Sequence, residues 1–262
     1  MQIKQLTNFL FRKYPLKNKE IWDPSGWSFK NKLSDELTGV IIAIDLTSNA
    51  INEAIKSNCN LIITHHPFKF YKKWVDEEIY APYKKEILQK LIDHRINVIS
   101  FHTNYDNHKN GTSYQIAKQL GFKDENINNF DWSLYPASVI NLELSFTNIV
   151  ELIKQKLNFS SMRTNLPKSL WNKEINKIAI LSGSGFIGEV NKIKELGYDL
   201  IITSDIKWSD WINYKETKTP ILEISHLDEQ VFVDDIYNQL NIKFFNIPLI
   251  KVKIQNEPYE NV

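Results

Sequence analysis

Leu61–Thr64 and Leu200–Thr203 spell the same four letters, LIIT, and each copy closes the same pattern. In the first half the order is VIIAIDL (Val40–Leu46), then NAINEAIKS after Ser48, then NLIIT. In the second it is KIAILSGSG, then GEVNKIKELG, then YDLIIT. Apolar runs of Val, Ile and Leu bounded by turn residues read as buried strands. Between them, Val190, Ile193 and Leu196 recur every three residues along one helix face. Four shared letters carry little alone, but the shared strand–helix–strand context reads as an internal duplication. The fold class this predicts is α/β: two related α/β domains, with a site in the cleft between them.

The copies differ at the position that matters for chemistry. After the repeated strand the first half carries His65 and His66, followed by Pro67; the second carries Ser204 and Asp205. Open α/β folds place their sites at strand ends. Adjacent residues of a strand point to opposite faces, so both histidines can serve one site only if the strand stops there. Pro67 lacks an N–H and biases His66 away from helix, so the chain is expected to leave the sheet at this pair. Two imidazoles at a strand end can converge on one metal or diverge toward two; two edge histidines are the competing reading.

Two further segments place ionisable residues just past apolar strands. In SFHTNYDNHKNG, His102 and Asp106 follow the strand INVIS, and Asn110-Gly111 signals a turn; a lone aspartate there also reads as a turn residue. In LEISHLDEQVF, the strand PILEIS runs into His226, and Phe232, Ile236 and Leu240 mark an amphipathic helix. Asp228 reads as a cap for that helix, and Glu229, three residues after His226, faces the same side if a first turn forms. A dipole interaction at the helix start is the competing reading. Asp45, at the end of the first strand, reads as an N-terminal cap, with metal-site support or general-base action as the other readings. Nitrogen and oxygen donors of this kind suit Zn²⁺, Mn²⁺ or Fe²⁺, and five are more than one tetrahedral site needs. A two-metal centre follows.

Composition narrows the classes. The 262 residues carry a net charge of +1, so no global field draws nucleic acid or an anionic membrane. The single cysteine, Cys59, excludes an internal disulfide framework and a thiolate-rich metal site, and its place before an apolar strand reads as a buried structural thiol. No signal-peptide core and no run of membrane-spanning length is present, so the expected location is the cytoplasm. The polar stretch FKDENINNFDW reads as a linker, giving a first domain over residues 1–125 with the His-His motif and a second over 126–262 with the His-x-x-Glu motif. The C-terminal strand is expected to pack back on the first domain, and residues 160–173 to be an irregular connection.

With IWDPSGW, AIDLT, LIITHHP, HTNYD, GSG, ITSDIKW and ISHLDEQV in order along nearly the whole chain, the sequence resembles the NIF-three-like family, whose bacterial members are called GTP cyclohydrolase I type 2 homologues. The resemblance implies a toroidal homohexamer with a dinuclear metal site between two α/β domains of each subunit. It carries the metal ligands onto His65, His66, Asp106 as a bridging carboxylate, His226 and Glu229. Two departures stand out: the family's usual TGD is Thr203-Ser204-Asp205, and a histidine that often follows it is Ser209.

The function this implies is a dinuclear metal-dependent hydrolase acting on a nucleotide or related small molecule through a metal-activated water. In a GTP cyclohydrolase-like reaction, hydroxide adds to C8 of guanine. Lys69, Lys72, Lys73 and Lys207 either attract a triphosphate or form an ordinary solvated basic face. The rival is a non-catalytic hexameric scaffold or regulator in which the metals are structural.

Overall fold

Val40–Ala43, Leu61–Thr64 and Asn97–Ser100 run parallel, with Ile41 opposite Ile62 and Ile62 opposite Val98. Side chains of a strand alternate between faces, and here both faces are covered, which is why the runs are so apolar. Leu61 and Ile63 join one core with Ile3, Leu6, Leu10 and Phe232; Ile62 joins another, under the helices Ser48–Lys56 and Lys84–Asp93. Each such fully buried side chain contributes on the order of 1.5–3 kcal/mol.

This computed structural model describes residues 1–260, which fall into two compact units. The first comprises Met1–His108 and Phe232–Gln255; the second comprises Lys109–Val231 with the segment from Asn256. In the first unit the parallel trio is flanked by Gly26–Phe29, antiparallel to Asn97–Ser100, and by Leu249–Val252, parallel to Val40–Ala43. In the second, Ile178–Ile180, Leu200–Thr203 and Ile221–Glu223 form an equivalent parallel trio joined by the helices Ile187–Glu195 and Trp208–Glu216. Ile127–Phe130 and Ser133–Val139 extend that sheet on one side and Arg163–Thr164 on the other, all antiparallel. Both copies of LIIT are therefore the middle strand of a parallel trio, and the two units share one α/β plan.

The division falls at 108/109 and 231/232 rather than near residue 125. Helix Thr112–Gln119 buries Ile116 and Ala117 in the second unit's core, which makes residues 109–125 part of that unit. The polar stretch FKDENINNFDW is no linker: it forms a 3-10 turn, Asp124–Asn126, and the strand Ile127–Phe130. Helix Val231–Lys243 contributes Phe232, Val233, Ile236 and Leu240 to the first unit's core, so the C-terminal return involves a helix as well as a strand. Residues 160–173 hold the edge strand Arg163–Thr164 and a 3-10 turn, Lys168–Leu170. Cys59 is buried against Gly39, where a Cβ would fall 2.6 Å from its sulfur, and burial pushes the thiol up to about 11. It is a packing residue. Among the described residues, no helix is long and apolar enough to cross a membrane.

Candidate metal centre

The histidines of the first unit follow the carboxyl ends of its parallel strands. Backbone N–H groups of His65 and His66 still donate to Ala43 and Ile44, at 3.2 and 3.0 Å, so the pair sits where the sheet ends and Pro67 turns the chain away. The two rings lie 5.0 Å apart. His102 follows the third strand and begins the turn Thr103–Asp106 as its N-cap; its ring lies 5.1 Å from that of His65 and 5.5 Å from that of His66. One potential donor nitrogen from each of the three lies within 4.8 Å of the others. Asp106 is buried and brings Oδ1 to 3.6 Å from His65 Nε2.

The protonation of each ring is fixed from behind. His65 Nδ1 lies 2.9 Å from the Phe101 carbonyl, which only accepts, so Nδ1 carries the hydrogen and Nε2 keeps its lone pair in the neutral ring. His66 Nδ1 is 3.0 Å from Asp45 Oδ1, and His102 Nδ1 is 3.1 Å from Asp23 Oδ1. Oxygen acceptors behind Nδ1 are how metal-binding imidazoles are oriented and made more basic. Asp45 is thereby corrected from cap to ring holder: Thr47 caps the following helix, its hydroxyl accepting from Ala50 N.

His102 and Asp23 were not assigned from sequence, although HTNYD and IWDPSGW contain them. Asp23 is 1% exposed and binds His102, Ser25 and Thr103 together. Burial alone would raise its pKa; the hydrogen bond and charge of His102, with the Ser25 and Thr103 hydroxyls, bring it well below the usual carboxylate range.

The second unit repeats the arrangement after its third parallel strand. His226 opens a 3-10 turn, His226–Gln230, in which residues three apart eclipse, and Glu229 Oε2 lies 3.0 Å from His226 Nε2. Behind the ring, Asp205 Oδ2 is 2.7 Å from Nδ1. Asp205 stands at φ 51° after the repeated strand, in the left-handed region that aspartate tolerates better than most residues. Burial alone would lower the His226 pKa, but the charge of Glu229 and the hydrogen bonds to Asp205 and Glu229 push it up to about 12. The pocket thus favours positive charge at this ring, a demand met by a proton or by a divalent cation.

Gly183, at φ 55°, closes the other side: a Cβ there would collide with the Glu229 carboxylate and come within 3.3 Å of the His226 ring. The glycine makes the space that Glu229 occupies. Asp228 does not cap the helix as expected. Ser225 caps the 3-10 turn instead, while Asp228 is buried, with burial and the Glu229 charge raising its pKa well above the usual range. Ser209, at the position of the departure noted above, donates to Asp210 Oδ1 on the exposed start of a helix.

Residues 1–258 match the family Duf34/NIF3 (NGG1p interacting factor 3). The chain belongs to the Duf34/NIF3 family. Among curated Duf34/NIF3 relatives, a Mycoplasmopsis pulmonis protein called GTP cyclohydrolase 1 type 2 homolog is 37% identical over 91% of this chain and 93% of its own length. One from Ureaplasma parvum, of the same name, is 32% identical over 94% of this chain and 91% of its own. The crystal structure of Staphylococcus aureus hypothetical protein SA1388 matches with a TM-score of 0.86 at 26% identity, over 100% of this chain and 99% of that one. The Duf34/NIF3 fold is therefore common to proteins of known structure; His65, His66 and His102 form one group that could hold a metal ion, and His226 and Glu229 belong to another.

Proposed function

We propose that this Duf34/NIF3 protein is a metal-dependent hydrolase of a nucleotide or related small molecule, with two divalent ions held by His65, His66, Asp106, His226 and Glu229. One observation carries the reading: four histidines each present Nδ1 to a carbonyl or carboxylate oxygen, at 2.7–3.1 Å, which leaves Nε2 as the nitrogen that would meet a cation, at His226 in place of the proton the ring otherwise carries. The donors are all nitrogen and oxygen, and Gly183 leaves room for the Glu229 carboxylate, so the residues fit Zn²⁺, Mn²⁺ or Fe²⁺.

When bound, such ions lower the pKa of water toward neutrality and polarise the bond under attack. The chain's own residues do the rest. Asp45, Asp205 and the Phe101 carbonyl fix the ring orientations of His66, His226 and His65, and Asp23 does the same for His102. Asp106, buried beside His65, would supply a carboxylate oxygen to an ion held there. The substrate class comes from the name of the relatives, GTP cyclohydrolase 1 type 2 homolog. Assembly as a homohexamer rests on the family resemblance and is tested by light scattering.

The test of activity is incubation of metal-replete protein with GTP and a panel of nucleotides, resolving the products by chromatography. Ring-opened or dephosphorylated product that disappears with the His65→Ala variant supports the hydrolase. Stoichiometric metal with no turnover assigns the protein to the rival scaffold role.

A further inference from the structure

Two large exposed rings flank His102 in the first unit. Trp22 is 66% exposed and meets the His102 ring edge-on at 5.8 Å and 75°; Phe70 is 46% exposed and meets the same ring at 6.4 Å and 81°. Single exposed apolar side chains are ordinary. Two converging on one imidazole of a candidate metal centre, each on a loop pinned by a buried carboxylate, are a different matter.

The anchors are unusual for surface loops. Asp23, the neighbour of Trp22, is tied to His102, Ser25 and Thr103, as described above. Phe70 and Tyr71 donate their backbone N–H groups to Glu77 Oε2 at 2.8 and 2.9 Å, while Glu77 Oε1 binds Lys84 Nζ at 2.5 Å. Glu77 is 2% and Lys84 8% exposed, and the Lys84 ammonium also lies 5.8 Å from the Phe70 ring centre. A buried ion pair adds little net stability over apolar packing of the same volume; its geometry is what it supplies. Phe70 is therefore held through its own backbone and Trp22 through the side chain of its neighbour Asp23, while both aromatic side chains stay open to solvent.

We infer that Trp22 and Phe70 are the jaws that grip a planar nucleobase of the substrate beside the histidine face of the first unit. Base stacking on aromatic side chains tolerates any base, because every base has a π-face. Lys72 and Lys73, exposed and two and three residues after Phe70, supply cations for the phosphates of the same molecule. The substrate class rests on the proposed hydrolase reading, but the stacking can be tested apart from any metal or turnover.

Calorimetric titration of the full-length protein with GTP, ATP, CTP and UTP, and with tripolyphosphate as the probe that lacks a base, provides the test. The wild type is expected to bind at least one nucleotide more tightly than tripolyphosphate. Trp22→Ala and Phe70→Ala should each weaken that nucleotide about tenfold, within the roughly 5- to 150-fold range of a lost stacking contact. Trp22→Phe should retain most of the affinity, tripolyphosphate binding should stay unchanged, and metal content and melting temperature should match the wild type. Equal binding of nucleotide and tripolyphosphate, or alanine variants that bind nucleotide like the wild type, overturns the inference; so does a variant whose lost affinity tracks lost metal or lost folding. If the wild type holds no metal yet shows the predicted stacking pattern, the jaws stand and the hydrolase reading falls.

Discussion

His66 Nδ1 lies 3.0 Å from Asp45 Oδ1, and this contact decides which ring nitrogen the strand end offers outward. Asp45 follows the first strand of the parallel trio and His66 the second, so the sheet itself sets their separation. Asp45→Asn keeps the shape but removes the charge that makes the imidazole more basic. The expected result is a roughly 10- to 100-fold weaker metal affinity with an unchanged fold, read by chelator competition and circular dichroism.

Gly183→Ala puts a methyl group where the Glu229 carboxylate lies, at a backbone conformation of φ 55° that L side chains rarely adopt. The backbone cost alone is about 1–2 kcal/mol. Urea denaturation should show that loss, and metal content should fall as Glu229 is displaced.

Phe232 packs its ring 5.1 Å from His65 and 4.9 Å from Tyr105, and it is fully buried. Phe232→Ala is expected to cost about 3–5 kcal/mol of stability through the cavity it leaves. Because the cavity borders His65, metal affinity should drop with it, whereas a core change remote from the histidines, such as Ile193→Val, should cost about 0.5–1.5 kcal/mol and leave metal content alone.

Glu77 gives a pH dependence whose sign is fixed. Burial would raise its pKa, but the hydrogen bond to Lys84, the two backbone N–H groups and the Lys84 charge bring it below its ordinary value of 4.5. A depressed carboxyl contributes stability above its unfolded pKa and loses it as pH falls through the folded one. Glu77→Gln leaves Lys84 buried without its counter-ion and should destabilise by about 3 kcal/mol at neutral pH. The gap from wild type should narrow progressively as pH falls below 4.5, as measured by urea midpoints across pH.

The parallel trios were legible in the sequence because strands covered on both faces are apolar at nearly every position, as in Leu61–Thr64 and Leu200–Thr203. The unit boundaries were not legible. Ile116 and Phe232 belong to cores most of whose members lie outside their own helices, and local composition carries no trace of that.

The candidate site divides the same way. His65, His66, Asp106, His226 and Glu229 could be named because each follows an apolar strand and matches a motif. The holders could not: Asp45 precedes a helix and looks like its cap, Asp205 lies 21 residues from His226, and Asp23 lies 79 from His102. Their roles come from tertiary placement alone. Asp228, expected at a helix cap, is instead buried within the 3-10 turn that Ser225 caps.

The central claim, a dinuclear metal centre, is tested most directly by the metal content of the purified protein and of three variants: His65→Ala with His66→Ala, His226→Ala, and Glu229→Gln. Elemental analysis should give close to two divalent ions per wild-type chain and a clear loss in each variant, with folding preserved by circular dichroism. Wild-type protein holding well under one ion per chain after incubation with Zn²⁺, Mn²⁺ or Fe²⁺, or variants that hold as much as the wild type, would contradict it.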